Sequence, residues 1–218
     1  MLFADYAEGT QIAQKERRLC KVITKTTKNL IIYCFFCVIC GVSAFFAECR
    51  AESLDQRLYH SIHERWKCKL LDKTMTAMSH LGDATTQIGL CLVLSTCGNE
   101  KAQETAKLGS FALTGTAVTI VGLKYVTNRK RPEGETNRGN SSFPSGHTGG
   151  AFALAAIFGE KYPKIKFAGY TIASLVGLSR IYLGRHYPSD VLGGAAVGFI
   201  ISRIVLHYEK RLLRFNLW

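Results

Sequence analysis

The sequence predicts an all-α fold: a bundle of six transmembrane helices, with an amphipathic interfacial helical segment between the first and second spans. Three observations predict it. The apolar residues, 47% of the 218, are bunched rather than scattered. The run LIIYCFFCVICGVSAFF at 30–46 carries no charge and is long enough for a helix to cross the roughly 30 Å hydrocarbon core of a bilayer. Further apolar, glycine-spaced segments follow at 81–97, 108–126, 149–158, 165–183 and 191–206.

Before the first span lies a basic tail, 1–29, with Lys15, Arg17, Arg18, Lys21, Lys25 and Lys28. A cleaved signal peptide is the competing reading of tail and run together, but the run starts late and no A-x-A-like site follows it. Between the first two spans, residues 48–80 alternate charges with Leu54, Leu58, Ile62, Trp66, Leu70, Leu71, Met75 and Met78 at near-helical spacing. That is the pattern of an amphipathic helix at the membrane interface, read here as a packing element with no catalytic part. The second and fourth spans are short or polar-edged, so either is tilted or begins in a cavity, where polar backbone is tolerated. In the sixth, Gly194 and Gly198 form a G-x-x-x-G step that lets two helix backbones approach closely. With no repeat, low-complexity tract or long linker, 30–208 reads as one membrane domain between the tail 1–29 and a C-terminal tail, 209–218.

The net charge of +12, from 28 Lys and Arg against 16 Asp and Glu, would suggest nucleic acid in a soluble protein. Here the charges flank apolar spans, where anionic head groups and the positive-inside rule account for most of them, and no nucleic-acid partner is expected. The N-terminal tail, Lys101 and Lys107, Lys161, Lys164 and Lys166, and Lys210, Arg211 and Arg214 fall on one side of a six-span arrangement, predicted to be cytoplasmic. The other side is also basic, with Arg50 to Lys73 and then Lys124, Arg129, Lys130, Arg131, Arg138, Arg180 and Arg185, and the bias emerges only when this last group is assigned to function. Of the eight cysteines, Cys34, Cys37, Cys40, Cys91 and Cys97 lie in apolar runs and are expected to be packing residues, while Cys49 and Cys68 can pair if their segment faces an oxidising compartment.

Three short clusters fall on this outer side, each at the end of an apolar span. Lys124 and Arg131 are seven residues apart, which on a continuing helix places them two turns apart on one face, with Pro132 ending the helix. A lone pair of cations at a membrane edge is otherwise a snorkelling anchor. Arg180 adds a planar guanidinium suited to bidentate contact with phosphate oxygens, and three cations without enough local carboxylates call for an anion. Pro144-Ser145-Gly146-His147 precedes a Gly- and Ala-rich span, so Ser145 is placed to cap a helix whose first N–H groups face an anion, Gly146 permits close approach, and His147 is either a simple polar cap or part of the chemistry. His186 and Asp190 stand at i and i+4, so a helix starting near Ser189 brings the carboxylate back to the imidazole, fixing its tautomer.

In order and spacing these clusters, KYVTNRKRP at 124–132, PSGH at 144–147 and SRIYLGRHYPSD at 179–190, resemble the signature K-x6-R-P, P-S-G-H, S-R-x5-H-x3-D of the type 2 phosphatidic acid phosphatase superfamily. No motif position departs from it. The resemblance implies a phosphatase without metal or other cofactor in which His186 attacks phosphorus, Asp190 orients and supports it, and His147 protonates the leaving oxygen. Lys124, Arg131, Arg180, Ser145 and the Gly146 backbone would hold the phosphoryl oxygens. The family also includes soluble acid phosphatases and vanadium haloperoxidases. The spans here favour its membrane-bound lipid phosphatase branch, with a lipid phosphate as substrate, membrane lipids as surroundings, and the site facing the periplasm or the extracellular side of what is expected to be a bacterial inner membrane. The chemistry of the residues agrees: a neutral imidazole is a competent nucleophile, a second serves as general acid, and fixed cations stabilise charge on a transferred phosphoryl group. A lipid-phosphate binding or transport protein of the same fold is the alternative, against which the full set of His147, His186 and Asp190 argues. The motifs leave undecaprenyl diphosphate, phosphatidic acid, phosphatidylglycerol phosphate and lipid A phosphates all open.

Overall fold

A computed structural model describes residues 49–134 and 138–214; the predicted tail 1–29 and first span 30–46, with Cys34, Cys37 and Cys40, lie outside the described residues, as do the side chains of 49–53 and of Arg138. In chain order the helices are α1 (Cys49–Arg65), α2 (Lys69–Leu81), α3 (Ala84–Cys97), α4 (Glu100–Thr127), α5 (Gly146–Lys161), α6 (Lys166–Tyr182), α7 (Pro188–His207) and the short α8 (Glu209–Leu212), and the described residues contain no strand.

The amphipathic segment is two helices rather than one. The break at 66–68 has a local cause: Cys68 is extended (φ −151, ψ 152), and its N–H donates to Tyr182 Oη at 3.3 Å, while that hydroxyl donates to Asp72 Oδ1 at 2.7 Å. The chain leaves the helical path to bond to α6. Helices α4, α5 and α7 run past the apolar stretches that announced them, whereas α3 and α6 stay within theirs. Asn99, whose side chain accepts from Ala102 N at 3.0 Å, starts α4 eight residues before its apolar run, because a capped polar turn satisfies the free N–H groups of a helix end.

Helix α5 is the centre of the bundle and packs against α4, α6 and α7. Leu108 and Ala112 of α4, Ala153 and Ile157 of α5, and Ile201 and Val205 of α7 form one buried core. The G-x-x-x-G step is the α5–α7 seam: a Cβ on Gly198 would lie 2.1 Å from Gly149 O, and one on Gly194 2.3 Å from Ser145 O, so only glycine admits this approach. Ser202 Oγ reinforces it by donating to Ala153 O at 2.9 Å. Cys91 is buried as expected, with its sulfur 3.3 Å from where a Cβ on Gly109 would stand, whereas Cys97, expected to pack, is exposed at the end of α3.

Two of these helices, Glu100–Thr127 and Pro188–His207, are long and apolar enough to cross a membrane, and Ala84–Cys97 is a shorter apolar helix. Leu92, Val93, Val118, Val121 and Phe199 point outward from them, an apolar exterior expected of helices that face lipid. The alternation of the helices sorts the chain into two ends. At one, Lys101 Nζ sits 4.6 Å from the Tyr162 ring centroid, Lys161 pairs with Glu209, and Lys107 Nζ donates to Leu213 O at 3.2 Å, so α8 is fastened beneath α4 and α5. At the other end lie the C-termini of α4 and α6 and the N-termini of α5 and α7.

Candidate active site

All three sequence clusters stand at this second end. Helix α4 does not continue to Arg131: it stops at Thr127, where Asn128 takes a left-handed conformation (φ 44) and its N–H closes the last turn on Lys124 O at 3.0 Å. Asparagine tolerates that conformation, so the helix ends before Pro132 can end it. Lys124 therefore lies in the last helical turn and Arg131 in the loop beyond. The loop is held by serines: Arg129 N donates to Ser141 Oγ, Ser142 N donates to Arg129 O, both at 2.8 Å, and Lys124 Nζ donates to Ser141 O. Arg131 Nε and Nη2 donate to Asn140 O and Oδ1 at 3.0 and 2.6 Å. Arg131 and Arg180 both act electrostatically on Lys124, His147 and His186, so the three cations and two histidines share one field.

Ser145 occupies the N-cap position of α5 but does not cap it. Its Oγ accepts from Thr148 Oγ at 3.0 Å, and its N–H donates to Asp190 O at 2.9 Å, tying the start of α5 to the start of α7. At Gly146 a Cβ would meet no atom within 4 Å, so this helix end faces open space.

His186 is 2% exposed and Asp190 fully buried. Asp190 Oδ2 accepts from Ser142 Oγ at 2.5 Å and from Tyr187 N at 2.8 Å, which fixes the carboxylate over the first turn of α7. His186 Nδ1 stands 3.7 Å from that oxygen, beyond a hydrogen bond, and is a buried nitrogen with no partner among the described residues. Burial, opposed by the nearby Asp190, pushes the imidazole down to about 4, so it is neutral at physiological pH. With Nδ1 turned to the carboxylate, Nε2 is the nitrogen left for substrate.

His147 has a carboxylate of its own, which the sequence did not announce. Its Nε2 donates to Asp83 Oδ1 at 2.7 Å, and His80 Nδ1 donates to Asp83 Oδ2 at 2.9 Å. The His80 imidazole first, and His147 next, hold the Asp83 carboxyl below its ordinary range against the effect of burial. Gly82 makes the approach possible, since a Cβ there would lie 2.6 Å from Val176 Cγ1 and 3.0 Å from His147 Cβ. From the same junction, Ser79 Oγ accepts from Arg180 Nη1 at 2.6 Å, whereas Arg180 Nε is buried with no partner among the described residues. The segment 48–80, expected only to pack, thus supplies Ser79 to Arg180, while Asp83, the partner of His147, stands just beyond it at the start of the predicted second span. The signal available in the sequence was the Gly82-Asp83 break at the end of the amphipathic stretch, where a small residue and a carboxylate meet.

Arg129, counted among the outer cations, is engaged by carboxylates. Burial works against its charge, but Asp190 and Asp55, at 2.8 and 2.7 Å, hold it above the ordinary guanidinium value. Among the described residues no group of three or more His, Cys, Asp or Glu is placed to hold a metal ion. At the same end of the bundle, Tyr125 and Val126 of α4 and Leu192 of α7 are 58%, 78% and 68% exposed.

The profile of the PAP2 superfamily matches residues 105–214, just over half of the chain. The chain belongs to the PAP2 superfamily. Among PAP2 relatives, it is 27% identical to phosphatidylglycerophosphatase B of Bacillus subtilis over 204 residues, covering 87% of this chain and 98% of that protein. It is 47% identical to lipid A 1-phosphatase of Porphyromonas gingivalis over 85 residues, 37% of this chain but only 18% of that much longer protein. The fold is that of a crystal structure described as the first transmembrane PAP2-type phosphatidylglycerolphosphate phosphatase from Bacillus subtilis, with a TM-score of 0.67 over 83% of this chain and 96% of that one, at 23% identity.

Proposed function

We propose that this PAP2 chain is an integral membrane lipid phosphatase that releases phosphate from a lipid phosphomonoester or diphosphate through a phosphohistidine on His186. The observation that carries this reading is the buried His186, neutral and backed by Asp190, beside a cationic group in which Arg180 Nε still lacks a partner. His186 Nε2 attacks phosphorus; Asp190 stabilises the ring as it becomes charged; His147, held by Asp83, donates a proton to the leaving oxygen and then takes one from the water that hydrolyses the phosphohistidine. Lys124, Arg131 and Arg180, with Ser145 and the N–H groups opening α5 at Gly146, stabilise the transferred phosphoryl group, the task that metal ions perform in other phosphatases.

In this reading the span at 30–46 joins α3 to α7 to make six crossings, α1 and α2 lie at the interface, and the domain 30–208 sits between cytoplasmic tails. The near full-length likeness to a phosphatidylglycerophosphatase supports glycerophospholipid phosphates as substrates, with undecaprenyl diphosphate and lipid A phosphates as the comparison. The test is phosphate release by the purified protein in detergent from these lipids side by side; no release from any of them would refute the phosphatase reading in favour of a binding or transport protein.

Chelation by EDTA is expected to leave turnover within about twofold, and vanadate to inhibit, because its five-coordinate adduct on His186 resembles the transition state. Loss of most activity in EDTA with recovery in Mg²⁺ would overturn the assignment of the cations.

The site is assigned to the periplasmic or extracellular face by the positive-inside rule, from the basic residues Lys101, Lys107, Lys161, Lys210 and Arg211 at the opposite end. With Lys130→Cys introduced at an exposed loop position, in a background lacking Cys49, Cys68 and Cys97, a membrane-impermeant maleimide is expected to add to intact cells beyond the level of that background. Labelling only after lysis would place the site on the cytoplasmic leaflet.

A further inference from the structure

Helix α1 reaches the carboxylate that backs His186, and it does so through a residue at a free position of K-x6-R-P. Arg129 Nη1 donates to Asp190 Oδ1 at 2.8 Å and to Ser189 Oγ at 2.6 Å, while Nη2 donates to Asp55 Oδ2 at 2.7 Å. Its Cζ lies 4.5 Å from the Tyr187 ring centroid, so the guanidinium is stacked as well as bonded. Asp55 in turn accepts from Ser189 N at 2.9 Å and from Ser189 Oγ at 2.5 Å, at the first turn of α7. The Asp55 side chain is 8% exposed and that of Asp190 0%.

The arrangement decides what Arg129 does. A guanidinium shared by two buried carboxylates has its charge already balanced and its fork already used, so it is not one of the cations awaiting an anion. Asp190, for its part, receives Ser142 and Tyr187 N–H on one oxygen and Arg129 on the other, and every one of its bonds sets the plane it presents to His186. We propose that Arg129 and Asp55 are positioning residues for the phosphatase reaction: together they keep Asp190 ionised and aimed at His186, and so make α1 part of the catalytic apparatus. This rests on the phosphatase reading above.

The experiment compares Arg129→Met, Arg129→Lys, Asp55→Asn and the Asp55→Asn/Arg129→Met double variant with wild type, measuring kcat and KM on a short-chain lipid phosphate, with helical content and elution volume checked for each. Wild-type turnover tests the phosphatase reading itself; the ratios to wild type test the positioning role. Arg129→Met is expected to lose about 10- to 100-fold in kcat, as other residues that orient a reacting group do, with KM within about twofold. Lys at 129, which keeps the charge but not the fork, should recover part of the loss. Because the two residues act as a unit, the double variant should be no slower than Arg129→Met alone. A rise in KM at unchanged kcat would make Arg129 a substrate contact, and losses that multiply in the double variant would make the two independent; either result overturns the proposal. If Arg129→Met does not fold, Asp55→Asn decides: a kcat within twofold of wild type refutes the role of α1.

Discussion

Replacing His186 with Ala is expected to abolish phosphate release, by at least about a thousandfold, while leaving the protein folded in the membrane, the largest effect expected of any single substitution. The proposed nucleophile disappears, yet His186 lies in the loop between α6 and α7, and no helix loses a residue. Wild-type enzyme quenched during turnover of a phosphate-labelled substrate should carry acid-labile label on His186, and label on a serine or an aspartate would refute the mechanism. The pH profile adds a second check with a defined sign. A histidine of ordinary basicity would lose nucleophilicity as pH falls through about 6.5. Burial has moved the His186 transition down to about 4, so the ring stays neutral and competent well below neutrality. The acid limb of kcat/KM that His186 contributes is therefore expected near pH 4, and it should be absent from any residual activity of the alanine variant.

His147→Asn should separate the two halves of the reaction. With an alkyl phosphate, whose leaving oxygen is strongly basic, loss of the general acid is expected to slow turnover by about 10² to 10⁴-fold. With p-nitrophenyl phosphate the leaving group needs no proton, so the first transfer should run at close to the wild-type rate. In the proposed mechanism water must still be deprotonated to release the phosphohistidine, and the variant lacks the proposed base. The expected record is a burst of one p-nitrophenol per enzyme followed by a stall. Equal losses on both substrates, with no burst, would show that His147 does not serve as acid and base. Asp83→Asn, which breaks the 2.7 Å bond to His147 without touching His186, should show the same substrate dependence at smaller amplitude.

Much of this site was legible because its residues are local in sequence. Lys124, Ser145, His147, Arg180, His186 and Asp190 each sit where an apolar run meets a polar segment, and alternating helices bring such boundaries to one end. The helix register was less legible. The seven-residue spacing of Lys124 and Arg131 suggested a continuous helix, and only the left-handed Asn128 shows that the backbone turns away between them. Least legible were the carboxylates. Asp83 pairs with a histidine 64 positions later, and Asp55 with an arginine 74 positions later. Neither separation leaves a periodic or motif-like trace. For the same reason Arg129 was counted only as one of the outer basic residues assigned to function: a local tally of charge sees the guanidinium and misses the distant carboxylates that have already claimed it.

The exposed apolar side chains of Tyr125, Val126 and Leu192 bear on how the enzyme meets its substrate. These side chains belong to the ends of α4 and α7 that carry the site, so hydrocarbon-seeking surface and phosphate-seeking charge share one end of the bundle. A lipid phosphate can then present its head group without withdrawing its tails from the bilayer, and the desolvation of those tails drops out of the binding free energy. Encounter becomes a two-dimensional search, and occupancy follows the mole fraction of substrate in the surface rather than its bulk concentration. Dilution with inert lipid or detergent then acts as a competitor that binds nothing.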